Sequence, residues 1–182
     1  MKKLTLLLLI PVLSVLSVLA QNVTNQSATL QKTDEGYKFI PVVDMKATSV
    51  KNQASTGTCW CFATTSFIES ELLRMGKGEY DLSEMYIVRY NYVDRLKDNY
   101  LRRGKGNLGQ GSLAHDWMRV FTEYGIVPNE VYTGLQYGSP THSHGEMNEF
   151  IGAVAAVPVQ RRNESAQYHK IVDGVLDAYL GK

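Results

Sequence analysis

The feature that most constrains this chain is a cysteine set at the start of a long helix. Gly57 and Thr58 make a turn, and from about Cys59 the residues Phe62, Phe67, Ile68, Leu72 and Met75 keep a helical pattern until Gly76 and Gly78 stop it. Apolar residues cover more than one face of this stretch, which predicts a central, well-buried helix. A cysteine at a helix N-terminus faces unpaired backbone N–H groups and the positive end of the helix dipole. Both favour thiolate over thiol, and the same N–H groups can hold the oxyanion formed when a thiolate attacks a carbonyl. Gln53, brought close by the turn, offers a second amide donor for that oxyanion. The competing role for a cysteine is that of a small core hydrophobe. The turn before Cys59 favours exposure of its sulfur, and these residue types together fit acyl transfer.

Further helices follow. Asp81-Leu82-Ser83-Glu84 has the form of a capping box with Asp81 as N-cap, ahead of Tyr86, Tyr90 and Val93 at i, i+4, i+7. A glycine-rich loop covers 104–111. Ser112 is expected to cap a third helix carrying Leu113, Trp117, Val120, Phe121 and Tyr124, closed by Gly125. Met147, Phe150, Ile151 and Val154 predict a fourth helix, and Tyr168, Val172, Val175, Leu176 and Tyr179 a fifth, ending at Gly181. Tyr37 to Val43, with Pro41 inside it, is expected as an edge strand. The pattern as a whole is mostly helical, without repeats or low-complexity tracts.

Composition narrows the function classes. With 44% hydrophobic and 20% charged residues, the chain reads as globular. Its net charge of +1, with Arg102, Arg103 and Lys105 as the local basic cluster, gives no basic face for nucleic acid. Cys59 and Cys61 are the two cysteines of the whole sequence, and their i,i+2 spacing on a helix turns them to nearly opposite faces. A disulfide or helical redox pair is disfavoured on that ground, and two cysteines alone do not complete a structural zinc site. Lys2 and Lys3, the apolar run 4–20 broken by Pro11, and the small residues before Gln21 predict a cleaved signal peptide over 1–20. Export to a periplasm or the exterior is the resulting expectation, with no stable membrane association, because the run is short and interrupted for a span. An extended lead-in is expected over 21–42.

The run Val50-Lys51-Asn52-Gln53, the Gly57-x-Cys59-Trp60-x-Phe62 core and the helix behind it resemble the active-site segment of papain-like cysteine peptidases. Leu82-Ser83-Glu84 resembles the family segment that opens the next helix. Gly111-Ser112, thirteen residues before Gly125, stands where the family has a Gly-Gly pair whose backbone pairs with substrate. Tyr124-Gly125-Ile126-Val127-Pro128 is similar to a further family turn. The resemblance runs from about Val43 to about Tyr132 and is greatest to the bleomycin hydrolase and aminopeptidase C branch. Thr56 stands where papain-branch enzymes place a disulfide cysteine, and 32 residues between Ala20 and Gln53 leave no room for that branch's long inhibitory propeptide.

This resemblance implies an α+β, two-domain papain-like cysteine peptidase fold, incomplete here, with 43–182 forming mostly its helical left-hand domain. It implies Cys59 as nucleophile, Gln53 as oxyanion-hole donor, and Trp60, Gly111 and Ser112 at the substrate. Peptide is the implied substrate and aminopeptidase action the implied activity, in an intact protein that forms homo-oligomers and uses no cofactor or metal. Cys61 replaces a residue that is usually Ala, Leu or Met, and is expected to pack on the buried side of its helix.

A working thiol peptidase also needs a histidine, oriented by Asn or Asp. In papain-like enzymes it follows the cysteine by about 130–150 residues, which falls past Lys182. His115 is expected to be structural or substrate-adjacent, and His169 lies on a polar face. His142 and His144, with Glu146, have the look of a metal cluster but read as a loop after Pro140. The chain is therefore expected to carry a nucleophile without its base. The alternative is a truncated or catalytically dead relative that binds peptides.

Overall fold

The computed structural model describes residues 31–33, 36–135 and 138–182. The expected signal peptide and most of the expected lead-in lie outside the described residues. The chain divides into two units, 1–45 and 46–182. In the first, β1 (Gln31–Thr33) and β2 (Gly36–Lys38) pair antiparallel with Thr33 opposite Gly36. The edge strand expected over 37–43 thus ends at Lys38, short of Pro41, which has no N–H to give a ladder. The lead-in carries this short hairpin where an extended segment was expected.

The second unit holds five helices: α1 (Cys59–Arg74), α2 (Glu84–Leu101), α3 (Ala114–Tyr124), α4 (Gly145–Arg161) and α5 (Ala166–Leu180). α2 packs against each of the other four, whereas α1 touches α2 and α3. The expectation that α1 is the central helix is therefore corrected. α1 buries Trp60, Cys61, Thr65 and Glu69 and leaves Phe67 exposed, as is Met75 just past its end. Apolar spread around a helix does not reveal how many neighbours it has, and two neighbours cover one stripe.

The core follows the 3.6-residue period. α4 buries Met147, Ile151, Ala155 and Pro158, and α5 buries Tyr168, Val172, Leu176 and Leu180, so these two helices meet along i, i+4 rows. Each such aliphatic side chain contributes about 1.5–3 kcal/mol on burial. Val88, Tyr92 and Leu96 of α2 complete the same core. Trp117 of α3, 1% exposed, donates its indole N–H to Thr65 Oγ1 of α1 at 2.9 Å. That bond satisfies two buried polar groups at the α1–α3 contact. α1 ends in a Schellman turn: Lys77 N–H bonds the Leu72 carbonyl and Gly76 N–H that of Leu73. Gly76 takes φ +69° there, a left-handed conformation that favours glycine.

The N-cap of α2 is Ser83, not Asp81. Ser83 Oγ accepts from Tyr86 N–H at 3.0 Å and donates to the Tyr132 carbonyl at 2.5 Å. Leu82 forms an antiparallel bridge with Pro128, and Asp81 O accepts from Asn129 N–H, so residues 81–83 are held extended and the helix opens behind them. Replacing Ser83 with Ala removes the cap and leaves Tyr132 O without its donor. The expected cost is about 1–2 kcal/mol, seen as a fall of several degrees in the thermal midpoint, with Ser83→Thr retaining most of the stability. α3 departs in a similar way. Its N-cap is Leu113, with no side-chain cap, because the Ser112 hydroxyl bonds the Asp116 carboxylate instead.

Candidate active site

The loop leading to α1 is built from its own side chains. Asn52 Oδ1 accepts from Ala54 N–H at 2.8 Å, and Ala54 sits at φ +51°. Gln53 Nε2 donates to Thr56 O at 2.7 Å while Thr56 Oγ1 returns a bond to Gln53 O at 2.9 Å. Gln53, the expected oxyanion-hole donor, is thus folded onto this turn with one amide proton still free. Thr58 is the N-cap residue of α1, yet its hydroxyl pairs with Thr56 Oγ1 at 2.5 Å and caps no backbone N–H. The N–H groups of Cys61 and Phe62 both turn to Thr58 O. Those of Cys59 and Trp60 are left without an intrahelical acceptor, and Cys59 itself is exposed. A positive, uncapped helix end suits an oxyanion formed beside the Cys59 sulfur.

Cys61 behaves as expected for packing. It is fully buried, and its Sγ donates to Glu84 O at 3.3 Å. Burial first, and the nearby Glu84 carboxylate second, push its thiol well above the usual cysteine range. The two cysteines are free, one exposed and one buried.

Trp60 is 7% exposed, and its indole N–H donates to Gln110 O at 3.0 Å. It supports the loop from beneath. Gly111 is exposed, and Ser112 is half-buried beside Asp116. Burial pushes the Asp116 carboxyl up, but the Ser112 hydrogen bond and the Arg119, His115 and Arg95 charges outweigh this and hold it low. Arg95 also donates to Gly109 O, which ties the glycine-rich loop to α2. A cavity of about 490 Å³ lies along Gly111, Ser112 and Leu113, with Arg95, Asn107, His115 and Asp116 around it.

Sequence reasoning missed three contributors. Gln110 accepts from Gly57 N–H at 2.8 Å through Oε1. The loop containing His142 and His144 runs parallel to Ser55: Ser55 N–H bonds His142 O at 3.1 Å, and His144 N–H bonds Ser55 O at 3.3 Å. Lys51 reaches three carboxylates, Glu69 and Asp81 at 2.7 Å and Glu84 at 3.1 Å. A polar residue flanked by glycines was the one sequence signal for Gln110. The other two depend on pairing between distant segments. His115 is exposed, 3.5 Å from Asp116, and His169 is exposed on α5. Among the described residues, none of the imidazoles hydrogen-bonds Cys59, and no group of three or more His, Cys, Asp and Glu side chains is arranged to hold a metal ion. No helix among them is long and apolar enough to cross a membrane.

Comparison with known proteins agrees with this geometry. The profile of the papain family cysteine protease matches residues 42–175, past the segment ending near Tyr132 that the motifs marked. A yeast protein, cysteine proteinase 1, mitochondrial, from Saccharomyces cerevisiae (strain YJM789), is 28% identical over 60% of this chain and 26% of its own length. A viral cathepsin from Lymantria dispar multicapsid nuclear polyhedrosis virus is 41% identical over 27% of this chain and 14% of its own length. The chain thus spans about a quarter of the yeast relative it matches. The expectation of export is corrected by the same comparison, since the relative aligned over most of this chain is named as mitochondrial. A basic and apolar leader is a weak guide to compartment, because leaders of related make-up serve several routes. With 42–175 matched and Cys59 set on an open helix end, the chain belongs to the papain family of cysteine proteases.

Proposed function

We propose that Cys59 is the nucleophile of a thiol peptidase that cleaves peptide bonds through an acyl-enzyme. The observation that carries this reading is the exposed Cys59 thiol at an α1 N-terminus whose N-cap hydroxyl is committed elsewhere. In the reaction the Cys59 thiolate attacks the substrate carbonyl, and the carbonyl electrons move to an oxyanion. The free N–H groups at the start of α1 and the second amide proton of Gln53 are the donors for that oxyanion. Collapse, with a proton delivered to the departing nitrogen by the imidazole that the reading requires, expels the neutral amine and leaves a thioester, which water hydrolyses. Gly111 and Ser112, at the exposed rim of the 490 Å³ cavity, are the proposed backbone contacts for the peptide. Trp60 holds the floor.

The reading requires an imidazole, with its Asn or Asp partner, from outside the described residues. It takes 43–182 as the helical domain of a two-domain enzyme. Aminopeptidase action and homo-oligomer formation belong to the proposal through the branch resemblance.

The test is reagent selectivity. At pH 6 an epoxide or haloacetamide probe is expected to label Cys59 at least about tenfold faster than Cys61 and faster than free glutathione. Peptide mapping by mass spectrometry reads the site. Equal labelling of the two cysteines, or a Cys59 rate no higher than that of glutathione, overturns the activated nucleophile.

A further inference from the structure

We infer that Gln110 is the positioning residue that fixes the Cys59 turn for attack, an inference that rests on the thiol peptidase reading. Gln110 grips the chain on both sides of the cysteine. Its Oε1 accepts from Gly57 N–H at 2.8 Å, two residues before Cys59. Its main-chain carbonyl accepts from Trp60 Nε1 at 3.0 Å, one residue after. Its other side-chain polar atom, Nε2, donates to His144 O at 3.5 Å, and His144 is itself paired with Ser55 of the same turn. One side chain therefore ties the approach to α1, the glycine-rich loop and the 141–144 segment together.

The grip has a firm base. Gly109 O is held by Arg95 of α2, and Gly109 N–H by Asn107 Oδ1 at 2.9 Å, so the residue before Gln110 is fixed from two sides. The approach is close as well. A Cβ on Gly57 would lie 2.9 Å from Gln110 Cβ, so position 57 accepts glycine because of Gln110 and not because of its backbone angles. Gln110 adds no group to the reaction. It sets where the Thr56–Gly57 peptide points, and through that the direction of the Cys59 thiol and of the first free N–H groups. Misplacement of a reacting atom by about 1 Å can cost on the order of 10²-fold in rate.

The experiment uses Gln110→Met, which keeps length, bulk and the main-chain bond to Trp60 but neither side-chain hydrogen bond. A peptidyl chloromethyl ketone, which must dock its peptide and present its carbonyl to Cys59, is compared with iodoacetamide, which needs no docking. Wild type is expected to react with the peptidyl reagent at a saturating rate, kinact, well above iodoacetamide. In Gln110→Met, kinact is expected to fall about 10–100-fold while the half-saturating concentration KI stays within about twofold and the iodoacetamide rate changes little. Hydrogen exchange at Gly57 N–H is expected to speed up, with the α1 core amides of Thr65 and Ile68 unchanged. Wild-type kinact in the variant, or Gly57 exchange as slow as in wild type, overturns the positioning role. So does a loss shared equally by both reagents and all α1 amides, since that reports loss of structure. If wild type shows no preference for the peptidyl reagent, the peptidase reading itself falls, and that failure is visible before any variant is made.

Discussion

Lys51→Met is expected to destabilise the helical unit by about 3–5 kcal/mol, lowering its thermal midpoint by roughly 10 °C. The Lys51 ammonium lies among Glu69, Asp81 and Glu84, and the first and last of these are 0% and 4% exposed. Burial works against the charge on Lys51, but its hydrogen bonds to Asp81 and Glu69 and the field of Glu84 outweigh that and raise its pKa. Glu84 shows the reverse balance: burial pushes its carboxyl up, and Lys51 offsets part of the rise. Without Lys51 the buried carboxylates would face each other with no cation. Glu69 would keep Leu82 N–H at 2.7 Å and Thr48 Oγ1 at 3.0 Å, bonds too few to replace an ion pair. The pH dependence identifies the cause. A buried carboxyl that loses its cation has a folded pKa above its unfolded one, so it contributes stability below the unfolded pKa and loses it as pH rises through the folded value. Lys51→Met should therefore be more stable at pH 5 than at pH 7, relative to wild type, in urea unfolding followed by circular dichroism. Adding Glu84→Gln should recover part of the loss. A variant as stable as wild type at both pH values refutes the account.

Lys51 also shows where sequence reading stops. It belongs to the Val50–Gln53 run that marked the family, so the residue was legible and its role was not. Its partners lie on α1, before α2 and at the start of α2, and only the fold brings them to one point. The helices themselves were legible, because an i, i+4 apolar row such as Met147, Ile151, Ala155 has one way to be buried. Which helix is central was not, since periodicity carries no count of neighbours. The choice between Asp81 and Ser83 as N-cap turned on the Leu82–Pro128 bridge, a pairing that local capping rules do not contain. At the site, Cys59 and Gln53 were legible as types in a motif. Gln110 was not, because its value comes from reaching Gly57 across the fold.

The segment 141–144 leads to a second large effect, an acid lability seated beside the turn that carries Cys59. His144 is 2% exposed, and neither ring nitrogen has a hydrogen-bond partner among the described residues. Burial first, then the neighbouring His142, bring its pKa down from 6.5 to about 4. Burial lowers the pKa of half-buried His142 as well. In the fold His144 is neutral, while in the unfolded chain it takes a proton near pH 6.5, so the unfolded state binds more protons in between. The contribution is fully present above about pH 6.5 and is lost as pH falls toward about 4, at about 1.4 kcal/mol per pH unit and about 3 kcal/mol in all. The group charged at low pH is the one whose backbone holds Ser55, so the loss should begin at the turn that carries Cys59. Two measurements separate this from general acid unfolding. His144→Leu fills the site without a titratable ring and should flatten the difference in urea midpoint between pH 7 and pH 4.5. In wild type at pH 4.5, Ser55 N–H should exchange faster well before the core amides of α2, and in His144→Leu it should not. Equal pH slopes in the two proteins would remove His144 as the cause.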